Sequence, residues 1–198
     1  MLDKRLCAWL LVALTLLGGC TTPSLWRAEH YREHALVGRI WSVAEARFVE
    51  RAELFAALVP TPFILLGETH DNPDHHLLQA EVITALANAG RRPGLALEMF
   101  DMSQAAALSA YLAQAPVDAG GIGEAVDWQT SGWPEWALYQ PIAEAGLRAG
   151  LKLHAANMSP TEVRALAQSG LAGTAPELVQ RLQLDHLLPA ADAANLNQ

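Results

Sequence analysis

Cysteine is nearly absent from this chain. Cys7 and Cys20 are its two thiols, and Cys7 sits inside what reads as a removable targeting segment. The folded part is left without thiols for a disulfide, a zinc site or nucleophilic catalysis. Basic tracts are missing as well. The formal charge is −8 with no run of Lys or Arg anywhere, which argues against nucleic acid as a partner. The apolar run at residues 6–17 is too short to cross a membrane as a stable helix. What is present is the balance of a folded protein: 198 residues, of which 52% are apolar, enough for one domain with a real core.

Residues 1–19 read as a signal peptide, with Lys4 and Arg5 as its basic region before the apolar run. The segment ends in Leu17-Gly18-Gly19-Cys20, which looks like a bacterial lipobox. Small residues directly before Cys20 favour this over a plain secretory signal. The resemblance implies cleavage before Cys20 and acylation of that cysteine. Several acyl chains, at about 0.8 kcal/mol per buried methylene, would hold the protein on a membrane. Thr21 stands where an Asp would favour the inner membrane, so the outer membrane, periplasmic side, is the expected destination. Residues 20–30 then read as a tether and residues 31–198 as a single domain.

The stretch around which the domain is organised runs over residues 62–89. Residues 63–66 form a short bulky run expected to be a buried strand. Gly67 breaks it, and Glu68, Thr69, His70 and Asp71 follow. Asn72 reads as an N-cap with Pro73 at the first helical position, opening a helix that stops at Gly90. The pattern recurs. Residues 95–98 read as a strand ending in Glu98, and residues 151–155 as a third, holding His154 and followed by Asn157. Helices are expected from a Ser103 cap to about Gln114, from about Trp136 to Gly150, and from two capping boxes, Ser159 with Glu162 and Thr174 with Glu177. A hairpin (residues 36–41 and 47–49) and a helix over residues 50–58 precede them. Alternating strands and helices imply an α/β fold, a parallel sheet with flanking helices in three layers. Three strands are few for such a sheet.

Strand ends are where ligands bind in such sheets, and here they carry Glu68 with His70, Glu98, and His154 with Asn157. In extended chain Glu68 and His70 point the same way. They can share a metal, or the carboxylate can orient the imidazole. The bland alternative has Glu68 capping and His70 satisfying loop backbone. His75 and His76 point about 100° apart on a helix, which disfavours them as a metal pair, and His75 with Gln79 forms a candidate hydrogen-bonded pair. Trp128, Trp133 and Trp136 are either core or a flat surface for a ligand. The readings that stand are a ligand-binding protein without turnover and a metal-dependent hydrolase built on Glu68, His70 and Glu98.

Leu65-Leu66-Gly67-Glu68-Thr69-His70-Asp71-Asn72, then His75-His76 and Gln79, resemble the ChaN-like haem-binding lipoproteins. Ala96-Leu97-Glu98-Met99, Gly132-Trp133 with Trp136, Tyr139-Gln140-Pro141 and Ala155-Ala156-Asn157 follow in the family's order. The resemblance implies an outer-membrane lipoprotein of haem or iron uptake, with Tyr139 as axial ligand to haem iron and two stacked haems at a homodimer contact. Ligand contacts would come from Glu68, His70, Glu98, Trp133, Trp136, His154 and Asn157. In the wider superfamily, which includes the Tiki, TraB and erythromycin-esterase proteins, a Glu and a His at this strand end serve divalent-metal or general-base chemistry. Family members run further, through more strands, so the sheet is expected to be incomplete at the C-terminus of this chain.

Overall fold

The structure, a computed structural model, describes residues 26–174 and 176–186. The signal segment, Cys20 and the first part of the tether lie outside the described residues. The chain divides into two compact units, Met1–Val49 and Glu50–Gln198.

In the first unit, β1 (Ile40–Ser42) and β2 (Arg47–Val49) pair antiparallel, with Ile40 opposite Val49, Trp41 opposite Phe48 and Ser42 opposite Arg47. The expected hairpin is there, but its first strand starts at Ile40. Gly38, at φ +76° and packed on Trp26, turns the chain just before it. These two strands form a sheet of their own.

The second unit runs through α1 (Arg51–Leu58), α2 (Pro73–Asn88), β3 (Leu95–Asp101), α3 (Ala105–Gln114), a single turn α4 (Ile122–Ala125), α5 (Trp136–Arg148), β4 (Leu153–Asn157), α6 (Pro160–Ser169) and α7 (Pro176–Leu182). Strands β3 and β4 are parallel, Leu95 beside Leu153 and Leu97 beside Ala155, with an irregularity before Asp101 meets Asn157. Helices flank a parallel sheet, as the alternation implies. The caps explain where two helices begin. The Asn72 side chain accepts the Asp74 N–H at 3.0 Å ahead of Pro73, and Ser159 and Glu162 close a full capping box at α6. Ser103 does not cap α3. Its N–H and O–H both go to Asp101 Oδ1, so the helix starts two residues later, at Ala105.

The largest departure is at residues 63–66, which join no strand ladder. Phe63 is 86% exposed and Leu65 96%. An apolar run becomes a central strand only when layers cover both faces and strands pair at its edges. Among the described residues nothing covers Phe63 and Leu65, and a cleft of about 710 Å³ separates this segment from β3. Its start is fixed differently: the Arg91 guanidinium donates to the carbonyls of Val59 and Thr61. The core lies between sheet and helices, with Leu97, Met99 and Phe100 from β3, Ile83 from α2, and Ile142 and Leu147 from α5. Burying each such side chain is worth about 1.5–3 kcal/mol. Trp128 and Tyr139 belong to this core.

Candidate functional site

The loop between residues 66 and 72 owes its shape to one imidazole. His75, in the first turn of α2, accepts the Thr69 N–H on Nδ1 at 2.8 Å and has the Asn72 amide 3.3 Å from Nε2. Nδ1 is thereby used as an acceptor, and Gln79 is not the partner of His75. Gln79 turns instead to Glu68 and donates to Oε2.

Glu68 is the hub. Its side chain is only 7% exposed. Oε1 lies 2.9 Å from His70 Nδ1, and His76 Nε2 stands 3.2 Å from Oε2. The His76 contact is out of line for a hydrogen bond, so a wholly buried imidazole has both nitrogens without a hydrogen-bond partner. Burial by itself raises the Glu68 carboxyl. The hydrogen bond from His70, the nearby His76 and the Gln79 amide outweigh it, and the group sits below its ordinary value of 4.5. With a carboxylate on Nδ1, His70 carries its proton there and presents a lone pair at Nε2. Its side chain is 43% exposed, and the half-buried Trp133 ring meets it edge-on at 4.7 Å.

Tyr139 comes out beneath this loop. It is 1% exposed, its hydroxyl donates to the His70 carbonyl at 3.2 Å, and its ring lies 4.4 Å from that of His76. Burial, then the Glu68 charge, push its phenol well above the ordinary range, so the oxygen is a protonated donor, not a ready anionic ligand. The expectation of an axial oxygen at Tyr139 thus meets a phenol already engaged with the protein.

The remaining expected residues divide. Glu98 is exposed on β3 and lines the same cleft as Glu68, His70 and Gln79. His154 is not with them. β4 begins at Leu153, so His154 is its second residue, paired with Ala96 near the amino end of β3, with its ring against Gly94. Asn157 ends β4, and its Oδ1 accepts the Met158 N–H, a local turn. Trp136 donates its indole N–H to Ala119 at 2.9 Å and packs on Phe100 and Trp128, which makes it scaffold. Among the described residues no group of three His, Cys, Asp or Glu side chains converges to hold a metal ion.

His76 is the site residue missed by the sequence reading. Its signal was there: His76, Gln79, Ile83 and Leu86 repeat at helical spacing on the face of α2 that meets the core.

A solved structure of ChaN of Campylobacter jejuni, described as cofacial haem binding, has a similar fold, with a TM-score of 0.57 at 22% identity. The match covers 67% of this chain and 53% of that one, so this chain spans about half the length of that relative. No curated protein matches the sequence significantly. The family profile described as "Haem-binding uptake, Tiki superfamily, ChaN" matches residues 54–198. The match takes in well over half of the sequence, and the chain belongs to that ChaN family of haem-binding uptake proteins.

Proposed function

We propose that this protein binds haem at the rim of the cleft between residues 62–68 and β3, as a carrier or store without turnover in haem or iron uptake. The observation that carries the reading is His70, an accessible imidazole fixed by a buried carboxylate at the edge of an apolar cleft. The cleft volume of about 710 Å³ suits a small-molecule cofactor. Its walls, among them Leu66, Val82, Ile83 and Leu97, suit an apolar macrocycle, so the residues present fit the group. Haem would supply an iron that takes a protein donor. His70 Nε2 would hold the iron, Glu68 would keep the ring in its orientation and tautomer, and Trp133 would flank it. Tyr139, buried with its hydroxyl given to the His70 carbonyl, would pack beneath that donor.

The same proposal includes an acylated Cys20 holding the chain to the outer membrane on the periplasmic side, an inference from Leu17-Gly18-Gly19-Cys20. It also includes a homodimer with two haems face to face, in line with the description of the Campylobacter relative. The test is a hemin titration of the full chain followed at the Soret band. His70→Ala should weaken binding by tenfold or more and shift the band, while Glu98→Gln should change affinity by less. Unaltered affinity and spectrum in both His70→Ala and Glu68→Gln would remove the site from this cleft.

A further inference from the structure

The first unit presents a surface outside the cleft proposed above for haem. Trp41 and Phe48 face each other across the hairpin on one side of it, ring centroids 5.0 Å apart and edge to face. The Arg39 guanidinium carbon lies 3.4 Å from the Phe48 ring centroid, two residues from Trp41 and so on the same side. Trp41 is 51% exposed, and Val43, in the turn, 84%. Ile40 and Val49, half-buried, take the other side.

We propose that this Arg39–Trp41–Phe48 face rests on a lipid bilayer as a second membrane contact. The inference rests on the Cys20 anchor proposed above. Three arguments select lipid as the occupant. Indole beside phenyl with a guanidinium over the ring is the chemistry of the headgroup boundary, where aromatic bodies sit in the acyl region and charged tips stay with phosphate. Distance is the second. Only five residues lie between Cys20 and Trp26, a reach of at most about 20 Å of extended chain, so an acylated Cys20 holds the unit close to the surface. Weak insertion then becomes an intramolecular event with a high effective concentration. Third, a hairpin of two three-residue strands is marginal alone, and a lipid surface supplies the cover that its aromatic side lacks.

The experiment uses the full chain, purified after processing, with phosphatidylethanolamine–phosphatidylglycerol vesicles whose acyl chains carry bromine, a contact quencher of tryptophan. Bromine-dependent quenching is expected in the wild type. It should fall at least twofold in Trp41→Phe, which removes the probe, and at least twofold in Val43→Asp, which puts a charge at the turn and leaves every tryptophan in place. Absent quenching, or quenching equal in all three proteins, overturns the proposal, and a hairpin covered by a second copy would give that result. The mass of the N-terminal fragment reports separately whether Cys20 is acylated, so failure of the anchor and failure of the hairpin contact are told apart.

Discussion

Glu68 shows how one residue ties sequence to chemistry here. A carboxylate this buried persists only with donors around it, and it has His70, Gln79 and the nearby His76. Because its folded pKa lies below 4.5, the unfolded chain binds the proton more readily. The stability Glu68 contributes is therefore present above about pH 4.5 and is lost as pH falls through the lower folded value. Glu68→Gln should lower stability at pH 7 by about 1–3 kcal/mol and flatten the acid side of a plot of Tm against pH. An acid limb parallel to the wild type would show that the carboxylate is not the linked group. Tyr139 has the opposite sign. Its raised pKa means that its contribution is intact at and below pH 10 and fades as pH rises further. In an alkaline titration followed by phenolate absorbance, Tyr139→Phe should delete a late-ionising step.

At the scale of elements, the residues that begin a helix carry most of the information. Asn72→Ala and Ser159→Ala should each cost about 1 kcal/mol, measured by denaturant unfolding, since each removes a cap made by its own side chain. Gly123→Ala should cost about 1–3 kcal/mol, because a methyl there would come within 2.8 Å of the Trp136 ring, which the core holds in place. The caps at Asn72 and Ser159 were legible in the sequence because they are local chemistry. Ser103 misled because its neighbour Asp101 competes for the same hydroxyl and N–H, a preference the one-letter pattern does not rank. His154 misled for a matter of register: a strand beginning two residues later moves a side chain from the site to the other end of the sheet. The pairing of Glu68 with His70 was readable from their spacing. The burial of His76 and Tyr139 against Glu68 was not, because it depends on how α2 packs on α5.

For the second unit as a whole, the open question of physics is the exposed run at residues 63–66. Its apolar pattern announces burial, and burial comes only from other chain segments, so no local reading can tell a covered strand from an uncovered one. An uncovered apolar edge invites association. Phe63→Lys with Leu65→Lys should reduce self-association in sedimentation velocity and leave Tm within about 0.5 kcal/mol equivalent, as expected for exposed positions. A large loss of Tm would mean that these side chains are buried in solution. The central claim, that an imidazole backed by Glu68 is the donor this fold offers to haem iron, is tested most directly by electron paramagnetic resonance of the ferric hemin complex of the full chain. The account predicts that the wild-type signal survives Tyr139→Phe and is replaced in His70→Ala. A signal unchanged by His70→Ala and lost in Tyr139→Phe would contradict it and make the buried phenol the ligand.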